Sequence, residues 1–125
     1  MYLNIENIFR PLQIGPATAM NRLMRSATCE AAGDARGFPL LEPMKRIYRD
    51  LARGGIGLIV TGHVFVHPNG RASARQIGFA TQEQAAAWEP ILQAARNESA
   101  APILSLIHIS EPTRLLSISY AVFCL

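Results

Sequence analysis

The sequence has few cysteines and no long apolar run, and each absence excludes a class of protein. Its 125 residues include two cysteines, Cys29 and Cys124, which do not make the disulfide framework of a small secreted domain. The longest apolar stretch, residues 56–66, is interrupted by glycines and polar residues, so it is shorter than the roughly 18 residues that indicate a membrane span. The first ten residues lack the apolar stretch of a signal peptide. We therefore predict a cytoplasmic protein that does not enter a membrane.

The sequence also lacks a cluster of charge of one sign. Lys and Arg number 12 against 9 Asp and Glu, a net charge of +3, and eleven of the 12 are arginines, spread singly along the chain. Nucleic-acid binding favours a clustered basic stripe, so we predict no nucleic-acid partner. Hydrophobic residues make up 50% of the chain and charged residues 17%, which is typical of a folded globular protein and excludes a disordered one.

The apolar pattern alternates between strand and helix periodicity. Apolar residues repeat every three to four positions in residues 40–53, where Gly54-Gly55 ends the helix. Thr81 and Gln84 have the spacing of a capping box at the start of a second helix. We predict a hairpin in residues 9–20, strands at 23–28, 56–66 and 101–103, and helices at 40–53 and 81–97.

This order of elements predicts an α/β protein with a parallel sheet. Two βα units bury little apolar surface by themselves. They are compatible with the start of a (β/α)₈ barrel, which needs eight such units. A Rossmann-like sheet is the competing architecture, but its G-x-G-x-x-G turn is absent. Gly54-Gly55-x-Gly57 follows a helix and precedes a strand, the reverse of a phosphate loop.

Residues 104–125 differ in character from the rest of the chain, with one acid, Glu111, and one base, Arg114. Residues 104–114 and 118–125 are identical to the in-frame translation of a transposase-type sequencing adapter and of the flow-cell end that follows it. The residues between these segments span the length of a sample index. We therefore expect residues 104–125 to be an adapter-derived tail and not a domain; the alternative is a genuine tail of unusual composition.

Residues 8–103 carry several motifs in an order that resembles one enzyme family. The motifs resemble the N-terminal end of the Old Yellow Enzyme family, the NADH:flavin oxidoreductases. They are residues 9–15 (FRPLQIG), 21–29 (NRLMRSATC), 48–62 (YRDLARGGIGLIVTG), 66–71 (VHPNGR) and 77–78 (IG).

The resemblance implies that residues 1–103 are the N-terminal part of an FMN-binding (β/α)₈ TIM-barrel domain, namely its first two βα units preceded by a hairpin. In this family NAD(P)H reduces FMN, and the reduced flavin transfers a hydride to an activated alkene such as an enone or a dienoyl thioester. The partner is thus a small molecule, and homo-oligomerisation of the whole enzyme stays open. Two alternatives remain: a small autonomous α/β binding module without catalysis, and another class of FMN-dependent barrel enzyme.

The resemblance assigns cofactor-binding residues at the end of the first barrel strand and after the second. Ser26, Ala27, Thr28 and Cys29 match the segment that runs beside the isoalloxazine ring, with Cys29 near the flavin carbonyl edge. Ala27 and Thr28 depart from the more familiar Pro-Met pair of the family. Gly62 matches a small residue that lets the backbone approach the ring. We assign no catalytic residue and no metal ligand, because the substrate-binding and phosphate-binding residues of the family lie outside residues 1–103.

Overall fold

A β-hairpin opens the described part of the chain. The computed structural model describes residues 5–109 and 119–124, and it describes side chains for residues 5–103. After a 3₁₀ turn at Ile5–Phe9, strands β1 (Leu12–Ile14) and β2 (Ala17–Ala19) pair in antiparallel fashion. Gly15 links them with φ = 56°, a left-handed conformation that glycine adopts without steric cost. The predicted hairpin is confirmed.

A four-stranded sheet forms the body of the structure. Its strands, in spatial order, are β3 (Met24–Arg25), β4 (Leu58–Phe65), β5 (Ile103–Ile109) and β6 (Ser119–Cys124). The pairs β3–β4 and β4–β5 are parallel, whereas β5–β6 is antiparallel. The predicted parallel arrangement of the first three strands is therefore confirmed.

Two strands differ in length from the sequence-based expectation. Strand β3 ends at Arg25, because residues 26–29 leave the sheet and are exposed. The third strand was expected at residues 101–103, but β5 begins at Ile103 and continues to Ile109, paired with β4. Residues 110–118 of the expected tail lie outside the described residues.

The first long helix follows its predicted bounds closely. Helix α1 covers Leu41–Arg53, and it buries Met44, Tyr48 and Ala52, which lie four residues apart on one face of a helix. The helix ends at Gly54, and Gly55 adopts φ = 79°. Such a left-handed residue is the usual device for ending a helix.

The second predicted helix is two helices. The expectation of one helix over residues 81–97 is wrong, because α2 covers Gln82–Ala86 and α3 covers Glu89–Arg96. Pro90 explains the break, since it has no N–H to donate and its ring clashes with the carbonyl four residues earlier. Proline is instead well placed in the first turn of a helix, and Pro90 occupies that turn of α3. The capping box of Thr81 and Gln84 is confirmed.

The core lies where α1 and α3 pack against each other and against β4. Tyr48 from α1 and Trp88, which precedes α3, form an edge-to-face pair with ring centroids 5.9 Å apart, a favoured aromatic geometry. Ile59 and Val64 of β4 join this cluster. Among the described residues, no helix has the length and apolar character needed to cross a membrane.

Candidate functional site

The exposed loop of residues 26–29 lies at the carboxyl end of β3 and passes over β4. Arg25 pairs with Ile59 of β4. Beyond Arg25, the loop approaches Gly62 of β4: the Thr28 carbonyl oxygen lies 2.6 Å from the position that a Cβ on Gly62 would take. The structure therefore brings the loop of Ser26, Ala27, Thr28 and Cys29 to Gly62 through the Thr28 carbonyl oxygen. The loop residues are exposed, whereas Gly62 is buried within β4, before the strand ends at Phe65.

Gly62 cannot carry a side chain in this arrangement. A Cβ there would overlap Glu30 Oε2 and would contact the Thr28 carbonyl oxygen. The register between β4 and β5 shifts between Val60 and His63, and within this irregularity the Gly62 N–H donates to Glu30 Oε1 at 3.3 Å. The closest described neighbours of Gly62 are thus part of this chain, and its approach to a flavin ring stays a prediction.

Glu30 is a buried carboxylate that sequence reasoning missed. Its side chain is 4% exposed. Its Oε1 atom accepts hydrogen bonds from Arg25 Nη1 at 2.8 Å and from the Tyr48 hydroxyl at 2.9 Å, in addition to the Gly62 N–H. A buried carboxylate is tolerated when donors surround it in this way. The available signal was an arginine inside the predicted strand at residues 23–28 and a glutamate two residues after that strand.

Arg25 connects the loop to the neighbouring strand. Its Nη1 also donates to the Val60 carbonyl oxygen at 3.1 Å, and its Nη2 donates to the Thr28 carbonyl oxygen at 3.3 Å. The guanidinium carbon lies 5.8 Å from the centre of the Tyr48 ring, within the range of a cation–π contact. One side chain therefore holds the loop, β4 and the face of α1 together.

Tyr48 acts as a hydrogen-bond donor within this group. Burial raises the pKa of its hydroxyl well above the ordinary value of 10, and the negative charge of Glu30 raises it further, while Arg25 acts in the opposite direction. The hydroxyl therefore stays protonated at physiological pH and donates a hydrogen bond to Glu30 Oε1. This environment suits a fixed donor and not a general acid.

The loop itself presents unused hydrogen-bonding groups. The hydroxyl of Thr28 donates to the Ser26 carbonyl oxygen at 3.1 Å, and Cys29 is a free, exposed thiol. The backbone N–H groups of Ala27, Thr28 and Cys29 make no hydrogen bond with any of the described residues. Because these residues are exposed, water can satisfy the donors, and they are open to a ligand.

Parallel strands with an exposed polar loop at their carboxyl ends define an α/β protein whose ligand site lies at that edge. The profile of the NADH:flavin oxidoreductase / NADH oxidase family matches residues 7–115. The chain belongs to this family. Its elements correspond to a hairpin and the first βα units of a (β/α)₈ barrel, so the barrel fold expected from the sequence is confirmed.

Solved structures support the same fold. The old yellow enzyme from Trypanosoma cruzi is 25% identical with a TM-score of 0.76, covering 82% of this chain and 27% of its own. The old yellow enzyme homologue from Zymomonas mobilis is 25% identical with a TM-score of 0.73, covering 81% and 27%. A 2-naphthoyl-CoA reductase, at 24% identity and a TM-score of 0.75, shares the fold and covers 82% and 16%.

This chain thus spans about a quarter of the length of the old yellow enzymes that it matches. The family is one of FMN enzymes with a nicotinamide reductant, so the expected cofactors are confirmed for the family. Family membership also decides against an unrelated binding module and against another class of flavin barrel. The match extends beyond residue 103, and the boundary expected there stays a prediction.

Proposed function

We propose that this chain forms the first part of the barrel of an FMN-dependent NAD(P)H oxidoreductase that reduces activated alkenes, such as enones or dienoyl thioesters. The family match over residues 7–115 supports the oxidoreductase class. On this proposal, the 125-residue chain is inactive without the rest of the barrel.

The observation that carries the proposal is the exposed loop of residues 26–29, lying against Gly62 with its backbone donors unused by the described residues. Bound FMN would supply hydride transfer between the nicotinamide and the alkene. The backbone groups of the loop would hold one edge of the flavin ring, and the Cys29 thiol would lie beside a ring carbonyl and adjust the redox potential.

The environment of the loop suits this role. Ser26, Ala27, Thr28 and Cys29 are all exposed, so a planar ring can approach them without displacing core side chains. Two of their carbonyl oxygens already have donors, because Arg25 donates to the Thr28 oxygen and the Thr28 hydroxyl donates to the Ser26 oxygen. The backbone N–H groups of Ala27, Thr28 and Cys29 are the donors that a ligand could use.

The test is made on the full-length enzyme that contains this segment, purified without added cofactor. We expect a yellow protein that carries FMN, oxidises NADH or NADPH, and reduces 2-cyclohexenone under anaerobic conditions. Full-length protein that folds but neither retains nor rebinds FMN would contradict the proposal. FMN binding with NAD(P)H oxidation but no reduction of enones or dienoyl thioesters would contradict the substrate class alone.

A further inference from the structure

A buried group of three side chains lies directly beneath the loop of residues 26–29; we refer to Arg25, Glu30 and Tyr48 as the loop-base cluster. Arg25 and Glu30 flank the loop in the sequence, and Tyr48 belongs to α1. The Arg25 and Glu30 side chains are 14% and 4% exposed, and Tyr48 is completely buried. Nothing in the family match assigns these residues a role.

The loop-base cluster binds the loop on two sides. Glu30 Oε1 receives donors from α1 and from the irregular part of β4, through the Tyr48 hydroxyl and the Gly62 N–H. Arg25 completes the arrangement, because it donates to Glu30 and to the Thr28 carbonyl oxygen. The ends of the loop and one of its interior carbonyl groups are thus held by one connected network.

We propose that the loop-base cluster positions the loop of residues 26–29 for the flavin, with Glu30 as its central positioning residue. This inference rests on the proposed function, since it concerns the same loop. None of the three side chains contacts the ligand on this proposal. They act through the backbone donors of the loop, whose placement decides how well the ring edge is bound.

The chemistry of Glu30 makes the network sensitive to small changes. Replacement by glutamine keeps the shape of the side chain, but it removes the charge opposite the buried Arg25 guanidinium. Its amide oxygen can still accept at the Oε1 position, but without the charge the hydrogen bond to Arg25 is weaker. A mostly buried cation that loses its charged partner is unfavourable, so we expect Arg25 to hold the Thr28 carbonyl oxygen less firmly.

If Arg25 and Glu30 form a purely structural ion pair, a different experimental result is expected. Such a pair would affect the free energy of unfolding and leave the bound flavin unchanged. A positioning role requires the properties of the flavin to change in a protein that is still folded. The two roles are therefore separated by spectroscopic and redox measurements, which stability alone does not affect.

The experiment compares Glu30→Gln and Tyr48→Phe with wild type in the flavin-loaded full-length enzyme. The matched control is Glu98→Gln, which removes the carboxylate of the Arg53–Glu98 pair, 3.1 Å apart and distant from the loop in sequence. The measurements are the FMN dissociation constant, the visible circular dichroism of bound FMN, its midpoint potential, and hydrogen exchange of residues 26–29 in the apoprotein.

We expect Glu30→Gln to weaken FMN binding about tenfold, the scale of one lost charge-assisted hydrogen bond. Its bound flavin should show altered circular dichroism and a shifted potential, and the amides of residues 26–29 should exchange faster. Tyr48→Phe removes one donor and should change the same quantities in the same direction by less. Glu98→Gln should change none of them.

Unchanged FMN affinity, dichroism and potential in both variants would overturn the inference, whatever happens to stability. If Glu30→Gln does not fold, Tyr48→Phe decides alone, since it keeps the ring that packs on Trp88. A wild-type enzyme without FMN would overturn the proposed function and this inference together. If the wild type binds FMN and neither substitution changes the affinity, dichroism or potential of the flavin, only the inference is overturned.

Discussion

Tyr48 places a protonated hydroxyl against a buried carboxylate, and the free energy of unfolding therefore varies with pH in the alkaline range. Its pKa in the folded chain is raised above the ordinary value of 10 by burial first and by Glu30 second. Above pH 10 the unfolded chain loses the Tyr48 proton while the folded chain retains it. Stability associated with this residue is therefore fully present below pH 10 and is lost as the pH rises towards the folded pKa.

The corresponding prediction concerns Tyr48→Phe in the full-length enzyme. The wild type should lose up to ~1.4 kcal/mol of unfolding free energy per pH unit above 10 through this one group, and the variant should lack that part of the slope. Urea titrations between pH 8 and 11 measure the difference. Parallel slopes for the two proteins would contradict a raised pKa of Tyr48 in the folded state.

Cys29 allows a second prediction at the scale of the residue. Because its thiol is exposed, Cys29→Ala should leave the free energy of unfolding within about 0.5 kcal/mol of wild type. We expect it to shift the midpoint potential of FMN in the full-length enzyme, since we place the thiol beside a ring carbonyl. Spectroelectrochemical titration measures the shift, and an unchanged potential would leave Cys29 without a role in redox tuning.

At the scale of elements, Gln84 links α2 to the loop before α1. The side chain is 5% exposed. Its Oε1 accepts from the N–H groups of Ala80 at 2.8 Å and Thr81 at 3.3 Å, while its Nε2 donates to the Arg36 carbonyl oxygen at 2.9 Å. The capping box and the loop therefore depend on the same amide group, which is why this glutamine is buried.

We predict that Gln84→Ala lowers the free energy of unfolding by about 1–3 kcal/mol. The substitution leaves the Ala80 and Thr81 N–H groups and the Arg36 carbonyl oxygen without their side-chain partner. The control is Gln82→Ala in the same helix, where the side chain is exposed and the change should stay within about 0.5 kcal/mol. Urea unfolding of the full-length enzyme measures both. Equal effects of the two substitutions would contradict the structural role of Gln84.

The elements show which features local sequence patterns can predict. Helix α1 was predictable because its apolar spacing and its Gly54-Gly55 end agree with each other. The break between α2 and α3 was missed because the apolar pattern continues across Pro90, although proline chemistry indicated a new helix start. Strand β5 was not expected beyond Ile103 because residues 104–125 were interpreted as an adapter-derived tail, whereas β5 continues to Ile109 beside β4.

The site was predictable to a different extent. The loop of residues 26–29 and Gly62 were assigned through family resemblance, and the structure brings the Thr28 carbonyl oxygen close to Gly62; their contact with a flavin stays a prediction. Glu30 was missed because its importance comes from burial and from donors on three separate segments. No local pattern encodes that convergence, whereas the tertiary fold creates it.

At the scale of the whole molecule, residues 104–109 have a defined place in the sheet. Strand β5 pairs with β4 in parallel, so any chain that continues the barrel must supply a strand at this position. We propose that residues 104–125 take the place of the native continuation of the gene. Genomic sequence across codon 103 should then diverge from this chain and continue in frame. A genome that encodes residues 104–125 would contradict the proposal.

The last prediction is that the 125-residue chain, expressed alone, does not hold FMN. Within the described residues β3 is an edge strand, and apolar side chains near it are open to solvent: Phe9 is 62% exposed and Met24 54%. Unpaired edges and exposed apolar groups favour association between chains.

On the proposed function, the strongest attachment for the ligand lies in barrel strands that this chain does not span. The phosphate site of such barrels typically forms near the last strands, and this chain spans 27% of its old yellow enzyme relatives. The loop of residues 26–29 and Gly62 offer one edge of a ring site, too little to offset the cost of immobilising the ligand. Isothermal titration of FMN into refolded chain should show no saturable heat. Saturable micromolar binding by a monomer would contradict both this prediction and the view that the barrel is incomplete.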